Sequence, residues 1–258
     1  MNVPIRPREP LPGPLADQLG AGDRLRVSLH SRVEDGEELH ALLWRAGPGW
    51  RMISSAVLGG GVGVRAWVLN AQVSHGYRRT DPGRHLARLA HRYGAPGPGV
   101  GLMTAADVQG YGRAADEGVT AIATAGIGVR GWAASPAAGA AGPPPPGTIN
   151  IVAAVPVALG DAALVNAVAT ATEAKVQALL EAGHDCSGTP TDAVCVAARV
   201  PAPGAPVHSF AGPRSEWGAR LARAVHGAVL AAAPRAEQPR GGPVPPSPRC
   251  PDLDCESV

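Results

Sequence analysis

Residues 148–182 read TINIVAAVPVALGDAALVNAVATATEAKVQALLEA. This stretch decides the fold class, because it sets a long apolar strand directly before a long helix. Thr148 to Leu159 is almost wholly apolar and reads as a strand. Pro156 and Gly160 break the run, so it does not read as a membrane span. Asp161 to Ala182 reads as a helix. At about 100° per residue, Leu164, Val168, Ala171, Thr172, Lys175 and Leu179 share one side of it. Asn166, Thr170, Glu173 and Gln177 fall on the opposite, polar side.

Lys175 is the only lysine; the other 22 basic side chains are arginine. Arginine is always charged and presents a wide fork, whereas lysine carries a compact amine that loses its proton when desolvated. Two roles fit a lysine on an apolar helix face. It can snorkel to water and favour the helix dipole, or it can be buried against a partner that offsets the cost of its charge.

Outward from this unit, the chain alternates strands with few helices. Leu25 to Arg32, Leu39 to Trp44, Arg51 to Ala56, Val64 to Val73, Gly99 to Ala106, Val119 to Gly128 and Asp192 to Val200 read as strands. Leu58-Gly59-Gly60-Gly61 is a sharp break. Asp81-Pro82-Gly83 opens a helix running to about Tyr93, with Asp81 expected to cap it. Ser215 to Ala232 is the last helix. Runs of strands with few helices between them predict an α+β layered sandwich, a mixed or antiparallel sheet with packed helices in a single domain. Residues 1–22 read as flexible, 23–232 as the domain, 133–146 as a Pro/Ala-rich insert and 233–258 as a disordered Pro-rich tail.

Hydrophobic residues make up 45% of 258 and only nine are aromatic, so Ala, Val and Leu must fill the core. The net charge is +2 with no basic run, which argues against a nucleic-acid partner. No export signal is visible in Met1 to Pro14. Cys186, Cys195, Cys250 and Cys255 form no CxxC and no zinc spacing, so free thiols in a reducing cytoplasm are expected. His85 and His91 are expected to be solvated rather than metal ligands.

The polar residues that could carry chemistry sit at strand ends: Ser54-Ser55, Asn70, Thr104, Thr124, Thr148, Asn150, and the run Gly188-Thr189-Pro190-Thr191-Asp192. Small hydroxyls, amides, a carboxylate and one lysine suit acyl transfer. A Ser or Thr oxygen would attack, Lys or Asp would be the base, and Gly-rich backbone N–H groups would hold an oxyanion. The same hydroxyls also satisfy ordinary turns, and Gly59-Gly60-Gly61 also serves as an ordinary positive-φ turn. No P-loop, GxSxG or HExxH occurs.

Taken in order, several blocks resemble the adenosylcobinamide amidohydrolases. They are Ser54-Ser55 with Gly59-Gly60, Val68-Leu69-Asn70 with Val73, Tyr77 and Asp81-Pro82, and Gly101-Leu102-Met103-Thr104-Ala105-Ala106. Thr124-Ala125-Gly126, Gly147-Thr148-Ile149-Asn150, Thr170 to Lys175, Gly188 to Ala193 and Ala211-Gly212 complete the set. The chain departs from the family pattern at Ile127, after Thr124-Ala125-Gly126, at Pro190, and in the insert.

The resemblance implies hydrolysis of the amide joining aminopropanol to the corrin ring, yielding adenosylcobyric acid in corrinoid salvage and cobalamin synthesis. It implies a small-molecule corrinoid partner and no cofactor of the protein's own, the cobalt arriving with the substrate. It also implies catalytic roles for Lys175, Thr172, Asp192 and Asn150. Ser54, Ser55, Gly60, Asn70, Thr104, Thr124, Thr148, Glu173, Thr189 and Thr191 would bind substrate. A non-catalytic corrinoid binder and an amidase of another small amide are the competing readings, and the sequence assigns no oligomeric state. Two geometric expectations follow: Asp192, Thr189 and Thr191 lie beside Lys175, and Ser54-Ser55, Asn70, Thr148 and Asn150 border one cleft.

Overall fold

The computed structural model describes residues 25–135 and 147–236. The N-terminal segment 1–22, the 136–146 part of the insert and the tail beyond 236 lie outside the described residues. Two sheets carry the domain. The first has four strands, in the order β1 (Val27–Glu34), β2 (Glu37–Arg45), β5 (Trp67–Gln72) and β6 (Gly99–Thr104). The second has six: β4 (Gly61–Val64), β3 (Trp50–Ser54), β11 (Ala193–Arg199), β9 (Thr148–Ala154), β8 (Val119–Gly126) and β7 (Gly112–Asp116). Both are mixed, since β5 pairs with β6, and β9 with β11, in parallel. Helices α1 (Pro82–Arg92) and α2 (Asp161–Glu181) make those two crossovers, and α3 (Glu216–Ala232) follows. A short parallel pair, β10 (Ala158–Leu159) with β12 (Val207–His208), lies apart.

Alternation along each strand sets the layers. On β9, Ile149, Ile151 and Ala153 pack on α2 and α3, whereas Val152 and Ala154 face the other sheet. On β5, Leu69 and Ala71 pack on α1 while Val68 faces inward with Trp44, Trp50 and Leu102. The result is helix, sheet, sheet, helices: the α+β sandwich that the sequence predicts. The tight β1–β2 hairpin turns on Asp35 and Gly36, both with positive φ, the pairing such turns favour.

Several local expectations are corrected. Val64 to Val73 is two strands, β4 and β5, that belong to different sheets. The run Thr148 to Leu159 is interrupted at Pro156, which cannot donate to a ladder. Asp81 makes no side-chain capping bond and pairs with Arg79 instead. Thr170 is buried, donating to the Ala211 carbonyl at 2.8 Å, because α2 packs on neighbours as well as on the sheet. The first residues of the expected tail are docked: Ala233 is buried and the Ala236 N–H reaches the Ala182 carbonyl. No helix among the described residues is long and apolar enough to cross a membrane.

Candidate functional site

The layer between the sheets is apolar at one end and polar at the other. Inward-facing positions near that second end are Ser54 on β3, Asn70 on β5, Thr104 on β6, Thr124 on β8, and Thr148 and Asn150 on β9. All six are buried, and buried polar groups need partners. Asn150 Nδ2 donates to Asn70 Oδ1 at 2.8 Å and to the Met103 carbonyl at 3.0 Å. Asn70 Nδ2 donates to Thr124 Oγ1 at 2.9 Å. These bonds clamp the two sheets together. Within this clamp Asn150 Oδ1 is buried with no hydrogen-bond partner among the described residues. Ser54 Oγ donates to the Val194 carbonyl, and Thr104 Oγ1 accepts from Ala106 N.

Above this clamp lies the lone lysine. Lys175 is 7% exposed, so the snorkelling role is excluded. Its Nζ donates to Asp192 Oδ2. The loop from α2 to β11 brings Asp192 there as a short return, and the carboxylate is filled with donors. Thr189 N reaches Oδ2 at 3.2 Å, Ile149 N reaches Oδ1 at 2.9 Å, and Thr189 Oγ1 lies 2.6 Å from Oδ1. Thr148 and Thr191 hydroxyls are 2.6 Å apart, and Thr191 Oγ1 donates to the Gly147 carbonyl at 2.9 Å. The expected cluster of Lys175, Asp192, Thr189 and Thr191 is therefore present. It also explains Gly188: a Cβ there would come within 3.0 Å of both Asp192 Oδ2 and Lys175 Nζ.

Asp192 forms part of the wall of two clefts. One, about 470 Å³, is lined by Ser55, Tyr77, Leu102, Met103, Thr104, Thr148 and Thr191 among others. The second, about 640 Å³, is lined by Trp132, Thr172, Lys175, Gly188, Thr189 and Pro190 among others. Residues of the expected single cleft thus divide. Ser55 and Thr148 line the first, while Ser54, Asn70 and Asn150 lie behind it as structural bonds. Thr124 joins that inner network.

Thr172 lines the second cleft, though its hydroxyl donates to the Val168 carbonyl one turn back at 2.9 Å. Glu173 is exposed and borders neither cleft, and Gly60, in the exposed turn after Leu58, lines neither. The Gly59–Gly61 turn is thus not placed to hold an oxyanion at Asp192.

The sequence reading expected a solvated His85 and assigned no role to Glu34. His85 is buried rather than solvated. Its Nε2 lies 2.9 Å from Glu34 Oε1 and its Nδ1 lies 3.1 Å from the Tyr77 hydroxyl. Burial opposes ionisation of Glu34, but hydrogen bonds from Arg32 and His85 win and hold its carboxyl below the usual range. Burial pushes the Tyr77 phenol up and the Cys195 thiol up to about 12. Among the described residues no cluster of three or more His, Cys, Asp or Glu is arranged to hold a metal ion.

A buried lysine on a carboxylate, with a threonine hydroxyl on that same carboxylate at the border of two clefts, is an arrangement suited to acyl chemistry. Comparison with known proteins sets the chain among hydrolases of amide bonds. It belongs to the adenosylcobinamide amidohydrolase family, whose model matches residues 26–240. The adenosylcobinamide amidohydrolase of Methanosarcina mazei is 32% identical over 177 residues, 66% of this chain and 84% of that protein. That of Halobacterium salinarum is 46% identical over 87 residues, 34% of this chain and 36% of the relative.

Proposed function

We propose that this protein hydrolyses the amide linking the aminopropanol arm to the corrin ring of adenosylcobinamide, releasing aminopropanol and adenosylcobyric acid for corrinoid salvage and cobalamin synthesis. The observation that carries the reading is the chain Thr189 Oγ1–Asp192–Lys175, which stands at the wall between two clefts. Family membership supplies the substrate class.

In this reading Thr189 is the nucleophile. Its hydroxyl proton passes to Asp192 as the oxygen attacks the amide carbonyl. Lys175, held by Asp192, keeps the carboxylate oriented and stabilises the negative charge that develops on the carbonyl oxygen. Asp192 passes that proton to the departing amine nitrogen as the C–N bond breaks. Water then attacks the acyl-threonine, giving a proton to Asp192, which returns it to Thr189 as the acid is released. Thr172, Thr148 and Thr191 line the clefts and contact substrate. Asn150 and Asn70 fix the sheets on which the loop rests. The cobalt belongs to the substrate, and the protein needs no cofactor of its own. Cys186 and Cys195 are free thiols, which suits a reducing cytoplasm.

The test is incubation of purified protein with adenosylcobinamide, with products read by mass spectrometry for wild type, Thr189→Val and Asp192→Asn. Adenosylcobyric acid from wild type alone supports the reading. Undiminished product from Thr189→Val would replace Thr189 with water as nucleophile. Binding without product in wild type would make the protein a corrinoid binder.

A further inference from the structure

Tyr77 stands on the cleft wall at the end of a buried polar chain that the amide chemistry does not use. Tyr77 lines both the 470 Å³ cleft that reaches Asp192 and a smaller polar pocket of about 390 Å³. Behind it the chain runs inward. Tyr77 stacks on His85, with ring centroids 5.7 Å apart and planes 12° apart. His85 meets Glu34, and Glu34 Oε2 accepts from Arg32 at 3.0 Å. Arg32, 6% exposed, also donates to the Gln72 carbonyl at 2.6 Å, at the end of β5. Four polar side chains from β1, α1 and the β5–α1 loop are thus aligned at a helix–sheet contact that is otherwise apolar. Such groups are costly to bury, and apolar residues would pack there at least as well.

The donor rules fix the direction of the chain. Glu34 is ionised and can only accept, so His85 Nε2 carries its hydrogen. The tautomer that donates from Nε2 to Glu34 offers a bare Nδ1, which accepts a hydrogen bond from the Tyr77 hydroxyl. The phenol stays un-ionised, because burial raises its pKa. Its oxygen is then left with free lone pairs and no free hydrogen.

We propose that Tyr77 is a specificity-determining residue of the cleft, locked by His85 and Glu34 as a hydrogen-bond acceptor for an N–H or O–H donor on the substrate. The proposal rests on the corrinoid reading above and deepens it. A corrinoid with carboxamide side arms offers such donors, whereas the same arm as a carboxylate has none. The cleft therefore prefers the amide form to the acid form of its ligand. His85 and Glu34 are positioning residues: they touch Tyr77 and leave the ligand to it.

The experiment measures adenosylcobinamide affinity by equilibrium dialysis on a Lys175→Arg background, with mass spectrometry to verify that the ligand stays intact over the dialysis and thermal unfolding to check folding. Tyr77→Phe keeps the ring and its stack but removes the acceptor, and it is expected to weaken binding roughly fivefold to tenfold. His85→Phe is expected to match it, and the double variant to be no weaker than either single, because the two act as one unit. In the turning-over enzyme the Tyr77→Phe loss falls on KM rather than kcat. Equal affinity of the folded Tyr77→Phe and parent proteins overturns the proposal, as does a double variant whose losses multiply. Tyr77-dependent binding by a wild-type protein that makes no adenosylcobyric acid would sink the hydrolysis reading and leave this one standing.

Discussion

Gly188→Ala adds one methyl group and no charge, yet it should dismantle the candidate centre. The new Cβ would lie within 3.0 Å of both Asp192 Oδ2 and Lys175 Nζ. Real Cβ atoms do not approach polar atoms so closely, so the Lys175 and Asp192 side chains must shift. Gly188 also has φ +151, a conformation that costs a side-chain-bearing residue further strain. The Lys175 and Asp192 side chains are only 8% and 12% exposed. Removing one partner of a buried pair costs about 3–5 kcal/mol, the upper bound for displacing a pair that keeps both members. For a domain of this size, 1 kcal/mol shifts Tm by about 2–4 °C, so a fall of up to roughly 10 °C is expected.

The assay is circular-dichroism melting beside the hydrolysis assay, with Gly131→Ala as the control. Gly131 pairs with Gly188 across an isolated bridge, yet a Cβ there meets nothing within 4 Å. Its Tm should stay near wild type while Gly188→Ala loses both stability and turnover. A Gly188→Ala protein with wild-type Tm and turnover would refute the argument that this glycine exists to let Lys175 reach Asp192.

Further outcomes follow from the same geometry. Asn70→Ala should destabilise by about 1–3 kcal/mol, because it strands Asn150 Nδ2 and Thr124 between the sheets; a denaturation midpoint within error of wild type would contradict the clamp. Glu34 has a folded pKa below its unfolded value, so its stabilisation is present above about pH 4.3 and is lost as pH falls through the folded value. Urea midpoints should therefore decline less steeply with acid in Glu34→Gln than in wild type, and parallel curves would count against it. Cys195, with its thiol pushed up to about 12, should resist alkylation at pH 8 until the protein unfolds, as read by peptide mass spectrometry. The thiolate is the reactive form.

The parts of the fold set by local periodicity were legible in the chain. The apolar run from Thr148 and the helix carrying Lys175 are β9 and α2. The pairing of Lys175 with Asp192 was legible too, because a charge on an apolar helix face needs a partner and the return loop is short. The division of Val64 to Val73 between two sheets was not, since Arg65-Ala66 carries no turn residue. β7, the stretch Gly112–Asp116, has too little apolar character to announce itself. Thr170 was placed on a wet face because a helical wheel cannot know that the Ala211 carbonyl will cover it. His85 was misread for a related reason: its partner Glu34 is distant in sequence and meets it only once β1 and α1 share a layer. The strand-end amides were noticed as a group, but sequence could not tell a cleft lining from a clamp just beneath it.

The central claim is that a lone buried lysine, held by Asp192, supports amide cleavage. Lys175→Arg tests it most directly, since it keeps the charge and the apolar stem but puts a wide fork where Gly188 and Asp192 leave room only for an amine. Purified wild-type and Lys175→Arg proteins, matched by circular dichroism, are incubated with adenosylcobinamide, and adenosylcobyric acid is quantified by mass spectrometry. The account predicts product from wild type and a loss of well over tenfold in the variant, more than about 1.4 kcal/mol of barrier. Wild-type turnover by a folded Lys175→Arg protein would contradict it.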